Sequence, residues 1–227
     1  MTKLPDPKIT PYGDAAIHLE YEAHGYSAAA NKAVLSLAHE LRASGDWQDV
    51  VCGYHSLVAV FHSHRLTSAR AAKAVQDAVK TGRKTRKARP HKVVEIPVYY
   101  GGENGPDMEV IARSSGLTEA EIIKTHSAEL YDVCMMGFIP GFTFLSEAPK
   151  ALHHPRRAAP RLSVPSGSVG IAGWQTGIYG LSSPGGWQII GRTDLQIFDA
   201  SRETPFLLSA GDKVRFIAAA GISAGGL

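Results

Sequence analysis

At 227 residues, 44% of them hydrophobic and 20% charged, the chain has the composition of a soluble globular protein that can bury one large core or two small ones. No stretch approaches the roughly 18–20 apolar residues that cross a bilayer, and the opening Met1-Thr-Lys-Leu-Pro-Asp-Pro lacks the apolar run of a signal peptide. The net charge is only +3, and Cys52 and Cys134 stand in unrelated contexts without CxxC spacing, which excludes a disulfide framework and fits a cytoplasmic location.

In chain order, Asp14 to Tyr21 alternates in part and predicts a strand. Ser27 can cap a helix carrying Val34, Leu35, Leu37, Ala38 and Leu41 that stops near Gly45. Val50 to Phe61 is β-branched and aromatic enough for another strand. A second helix, Thr67 to about Lys80, sets Ala71, Ala72, Val75 and Val79 on one face. This β-α-β-α order predicts a small α+β sandwich domain over 1–82. Seven basic residues then fall between Lys80 and Lys92 with no acid among them, leaving the remainder of the chain net negative. Without interleaved aromatics to stack bases, the run reads as a solvated linker over 83–92, and no nucleic acid is expected as a partner.

Over 93–227 the pattern changes. Val93 to Tyr100 reads as a strand, and Pro97 predicts that it lies on an edge or is irregular. Pro106 suits the first position of a helix through Ile111 and Ala112. A further helix has Thr118 as N-cap and Glu121 three residues on, a capping box. From Tyr131 to Phe216, Gly and Pro punctuate short apolar segments, as in a β-barrel with large loops. The fold class expected is therefore α+β, a small sandwich followed by a closed barrel.

Several apparent signals carry no chemistry. Val110 to Ile123 looks like a helix-turn-helix, but Glu119 and Glu121 in its second helix would repel phosphates. Gly101-Gly102 to Gly105 is either a turn or an anion loop; neither GxxxxGK[ST] nor GxGxxG occurs. The 10 histidines show no metal spacing, so no metal site is expected. Ser166 and Ser168 do not form a GxSxG elbow.

Two segments remain. Gly137-Phe-Ile-Pro-Gly-Phe-Thr-Phe-Leu, with Phe138 and Phe142, either walls a pocket or packs as a loop over the barrel. From Ser163 to Thr193, glycines in and around strands let backbone approach a ligand or a neighbouring chain. Dispersed among them, Gln175, Thr176, Tyr179, Ser182 and Arg192 can orient a small polar molecule, with Gly185 and Gly186 beside them.

These segments carry a resemblance. Glu95-Ile-Pro-Val-Tyr-Tyr-Gly-Gly-Glu-Asn-Gly-Pro-Asp, His126, Tyr131-Asp-Val, the Gly-Phe-x-Pro-Gly-Phe block, Pro155-Arg156, Val169-Gly-Ile-Ala-Gly, Gln175-Thr-Gly-Ile-Tyr, Ser183-Pro-Gly-Gly-Trp and Ile190-Gly-Arg-Thr resemble the 5-oxoprolinase B-subunit family. That family is also described as allophanate hydrolase subunit 1 and as inhibitors of a sporulation sensor kinase. The resemblance implies a cyclophilin-like barrel, a C-subunit-like partner and an additional A-subunit-like protein. It also implies an amide or lactam substrate, with ATP and magnesium serving the assembled complex, which opens 5-oxo-L-proline to L-glutamate. Inhibition of a histidine kinase and a carboxyltransferase half of a urea carboxylase-like enzyme are the alternatives. For the ring opening, His126 is the candidate proton relay, with a hydrogen-bonded structural histidine as the alternative. Arg192 and Arg161 are the candidates for oxyanion or carboxylate, with structural ion pairs as the alternative. Gln175 and Tyr179 are the candidates for orienting the amide.

Overall fold

The computed structural model describes residues 4–23, 25–85 and 91–221. The chain divides between Pro90 and His91 into two compact units.

In the first unit, β1 (Lys8–Tyr12), β2 (Ala16–Glu20), β3 (Trp47–Cys52) and β4 (Ser56–Phe61) form an antiparallel sheet in the order β1-β2-β4-β3. Helices α1 (Ala28–Ser44) and α2 (Ser68–Thr85) pack on it and on each other. Strand alternation puts Ile17, Leu19, Leu57, Ala59 and Phe61 in one core with Val34, Leu37, Leu41, Ala71, Val75 and Val79. The caps of α1 are those the sequence indicates. Ser27 accepts from the Ala30 N–H at 3.3 Å, and Gly45 closes the helix at φ 73°.

Three expectations are corrected in this unit. Val50–Phe61 is two strands rather than one: Gly53 donates its N–H to the Ser56 carbonyl at 2.7 Å and turns the chain into a hairpin. Strand β1 adds to the expected elements; it is a five-residue edge strand, where Pro11 is tolerated. Helix α2 continues to Thr85, three residues into the expected linker. Lys and Arg are good helix formers, a single Gly82 costs only about 1 kcal/mol, and the first helix-stopping proline is Pro90. The rest of the basic run, 86–90, lies outside the described residues.

The second unit contains β5 (Val93–Tyr100), α3 (Met108–Ser115), α4 (Glu119–Ser127), β6 (Leu130–Met136), β7 (Thr143–Glu147), β8 (Arg161–Val164), β9 (Ser168–Ala172), β10 (Gln175–Ile178), β11 (Ser183–Gly185), β12 (Gln188–Arg192) and β13 (Lys213–Ala218). Seven strands close a barrel in the order β10-β7-β6-β13-β5-β12-β9, while β8 and β11 pair as a separate ribbon. The fold is thus α+β with a closed barrel, as the sequence indicates. Ile96, Val98, Tyr131, Val133, Leu145, Val169, Ile171, Ile190, Val214 and Phe216 fill its core, joined by Ile111 of α3 and Ile122 of α4.

Strand β5 is not an edge. It pairs in parallel with β13 and antiparallel with β12. The β12 ladder reaches β5 only at Tyr99 and Tyr100, so on that side there is no rung at Pro97 for the missing N–H to break. Helix α3 starts at Met108 rather than Pro106, with Asp107 as its N-cap residue. The Asp107 side chain makes no cap hydrogen bond, because it is held elsewhere, as described below. The capping box of α4 is present in both directions: Thr118 accepts from the Glu121 N–H at 3.3 Å, and Glu121 accepts from the Thr118 N–H at 2.8 Å.

Candidate functional site

The residues singled out around the glycine-rich segments meet at the β8–β11 ribbon and the turn that follows β8. The ribbon is tied to the barrel by Asp107, whose side chain is buried. Asp107 accepts from the Ile189 N–H at 2.7 Å, from Arg157 Nη1 at 2.9 Å, and from Arg161 through both Nη1 and Nη2 at 2.8 Å. One carboxylate therefore holds two guanidiniums, one of them by a two-pronged fork. This corrects the expectation for Arg161. Its fork is committed to Asp107, and a substrate carboxylate would have to displace a buried ion pair to use it.

Beside the clamp, Phe142 is the hub of an aromatic cluster. Its ring centroid lies 4.5 Å from Phe144, 4.8 Å from Tyr179, 5.3 Å from Trp187 and 5.6 Å from Phe138. Phe142 is buried and is packing rather than a ligand wall. Phe138 is 67% exposed and sits at φ 69°, a left-handed conformation that costs a bulky residue energy. Burial raises the Tyr179 pKa, and the Trp187 backbone N–H with Arg156 and Arg161 opposes that rise. The side chain packs so closely on Gly185 that a Cβ there would collide with the phenol oxygen. Gly186 accepts from the Arg157 N–H at 2.7 Å, and Ser182 meets Ser163 at 3.0 Å on the exposed face of the ribbon.

The turn after β8 carries these residues to Arg192. Gly167 adopts φ 80°, and a Cβ there would collide with the Thr193 carbonyl, so glycine alone fits. The turn is bonded to the strand end at Tyr179: Gly167 N–H reaches the Tyr179 carbonyl and Ser166 Oγ the Gly180 carbonyl, both at 2.8 Å. Arg192, at the end of β12, donates Nε–H to the Ser166 carbonyl at 3.0 Å. An open cleft of about 410 Å³ lies here, lined by Ser166, Gly167 and the stretch from Arg192 to Gln196.

Other expected site residues lie elsewhere. His126 is fully buried in the barrel, stacked on Phe216 at 4.7 Å. Its Nε2 is 2.9 Å from Thr176 Oγ1 and its Nδ1 is 2.8 Å from the Tyr100 hydroxyl. Thr176 gives its proton to the Gly170 carbonyl at 3.1 Å, so it accepts from Nε2–H, and Nδ1 accepts from Tyr100. Burial lowers the His126 pKa to about 3. A proton relay must reach its substrate, and this neutral ring, with both nitrogens bonded inside the core, does not. The structural histidine is the reading that fits. Thr176 belongs to the same buried chain rather than to a ligand site. Gln175 is half-buried at the start of β10 and pairs with Ala172, whereas Arg192 pairs with Ser168. Four residues of β9, roughly 13 Å, separate the two.

Sequence reasoning missed Asp107, Arg157, Ser166 and Gly167. An Asp just inside a helix start reads as a cap, and nothing local shows that it pairs 54 residues away. Gly167 had a usable signal, a Pro-Ser-Gly turn directly before a strand.

Residues 7–208 match the family described as carboxyltransferase domain, subdomain C and D. The chain is 40% identical over 206 residues to the 5-oxoprolinase B-subunit of Escherichia coli O157:H7, covering 90% of this chain and 93% of that protein. It is 52% identical over 126 residues to the 5-oxoprolinase B-subunit of Bacillus subtilis (strain 168), covering 56% of this chain and 52% of that one. Among solved structures, TTHA0988 superposes with a TM-score of 0.78 at 39% identity over 92% of this chain, which spans only 40% of the TTHA0988 chain. Kluyveromyces lactis urea carboxylase superposes with a TM-score of 0.77 over 97% of this chain and 22% of its own, and at 17% identity this likeness is one of fold alone.

Proposed function

Because the chain belongs to the 5-oxoprolinase B-subunit family, we propose that it is one component of an ATP-dependent 5-oxoprolinase, which opens 5-oxo-L-proline to L-glutamate together with partner subunits. The observation that carries this reading is the similarity to the Escherichia coli O157:H7 protein, which extends over 93% of that relative. On this reading the partners are a C-subunit-like and an A-subunit-like protein, and the complex is cytoplasmic. None of the helices among the described residues is long and apolar enough to cross a membrane. ATP with magnesium is a substrate of the whole assembly; this chain carries neither of the common phosphate-loop fingerprints.

An unstrained lactam resists water because its nitrogen lone pair delocalises into the carbonyl. Opening it requires donors aimed at the oxygen where negative charge develops, and fixed contacts that hold the ring. On this reading the candidate groups are at the barrel end beside the ribbon, where exposed Phe138 edges the Phe142–Tyr179 cluster and Gly185 lies against the Tyr179 phenol, with Ser182 and Gly186 close to it in sequence.

The test is glutamate formation from 5-oxo-L-proline and ATP by the chain assembled with its partners, each component omitted in turn. Turnover that disappears without this chain is expected. Undiminished turnover in its absence, or none from the complete assembly, overturns the reading.

A further inference from the structure

We infer that the Arg192 cleft is a carboxylate subsite, and that Arg192 is the residue by which the protein selects a lactam bearing a carboxylate over an uncharged amide. The inference rests on the lactam reading above and names the part of the substrate that this cleft takes.

The Arg192 guanidinium is oriented but not used up. Its Nε–H is fixed on the Ser166 carbonyl at 3.0 Å, and among the described residues no acceptor meets Nη1 or Nη2. That anchoring leaves the two-pronged edge of the fork for a ligand, the edge that matches the two oxygens of a carboxylate. Arg161 gives the contrast within the same molecule: its equivalent edge is filled by Asp107 in that geometry, at 2.8 Å for each prong. The Arg192 fork is therefore the carboxylate receptor that the ribbon clamp is not.

The surroundings agree. Three of the cleft's backbone donors are already spent, Gly167 N–H on the Tyr179 carbonyl, Thr193 N–H on the Gly167 carbonyl and Leu195 N–H on Thr193 Oγ1, and the guanidinium is the cation that lines it. Asp194 on the rim has a partner of its own. Gln196 accepts from Arg202 Nη2 at 3.0 Å through Oε1; since arginine can only donate, this fixes the amide orientation and leaves the Gln196 NH₂ as a donor at the rim. A cleft of about 410 Å³ is at the small-ligand end of binding pockets. A five-membered lactam with one carboxylate suits that volume and that single cation.

The test compares 5-oxo-L-proline with 2-pyrrolidinone, the same lactam without the carboxylate, in the assembled complex. Arg192→Ala is expected to raise KM for 5-oxo-L-proline about tenfold or more, the loss of a charge-assisted pair, and so to narrow the preference for 5-oxo-L-proline over 2-pyrrolidinone by a similar factor. Arg192→Lys, which keeps the charge but not the fork, should fall between. In parallel, NMR titrations of the purified chain with 5-oxo-L-proline and with its neutral carboxamide should show carboxylate-dependent shifts around Arg192 that vanish in Arg192→Ala. Wild-type KM in a folded Arg192→Ala complex, or shifts that survive the substitution, overturn the subsite. If the complex turns over no lactam while the carboxylate-dependent shifts persist and need Arg192, the lactam reading fails and the subsite stands.

Discussion

The imidazole of His126 and the hydroxyl of Thr176 lie 2.9 Å apart inside the barrel, and the Thr176 hydrogen bond to Gly170 makes the histidine the donor. The pair locks one neutral tautomer in a place water does not reach.

A pH dependence follows from this. Burial lowers the folded-state pKa of His126 to about 3, below the ordinary value of 6.5. Between those values the unfolded chain binds a proton that the folded chain does not, so stability rises with pH across that window. The contribution is complete above about pH 6.5 and is lost as pH falls toward 3, on the order of a few kcal/mol in total. Urea unfolding of the wild type and His126→Phe from pH 4 to 7 should show the steeper slope in the wild type. Parallel slopes would remove His126 as the cause.

Asp107 holds two guanidiniums that keep a quarter to a third of their side-chain exposure, while its own is 2% exposed. Asp107→Ala should destabilise the protein by about 3 kcal/mol, since it leaves two half-buried cations and the Ile189 N–H without an acceptor. Asp107→Asn should cost less, because it keeps an acceptor. Denaturant midpoints decide the order of the two variants.

Gly185 leaves no room for a methyl group against the Tyr179 phenol oxygen. Gly185→Ala should cost about 1–3 kcal/mol by overpacking, and Tyr179→Phe in the same chain should recover part of that loss. A double-mutant cycle with zero coupling energy would show that the clash is relieved elsewhere.

At the start of α4, Thr118→Ala removes the side-chain acceptor of the Glu121 N–H. A loss of about 1 kcal/mol is expected, read as a drop of a few degrees in Tm.

The features legible in the sequence are those whose causes are local. Ser27 and Gly45 bracket α1, and Thr118 with Glu121 opens α4, because a cap and its partner lie within one turn. The barrel is legible from its glycine punctuation, but the order in which its strands close is not. The hairpin between β3 and β4 reads as one strand because Gly53-Tyr54-His55 lacks an Asn-Gly or Asp-Gly turn signature. His126, near the end of α4, has the sequence context of a surface residue; only the position of α4 against β13 sends it into the core. The two candidate arginines look alike in sequence, and Asp107, at 54 residues' distance, makes Arg161 structural while Arg192 keeps its fork.

The parallel pairing of β5 with β13 puts Val93 beside Lys213. During synthesis the barrel therefore cannot close until its last strand has emerged from the ribosome. The first unit is different: its sheet is complete by Phe61 and can form while the remainder is still being translated. Meanwhile β5 and β6 wait with the open edge that β13 will fill, and such edges invite pairing with other nascent chains. Pro97 does not blunt that edge: the carbonyls of Lys92 and Val98 face β13, so by strand alternation Pro97 faces the β12 side.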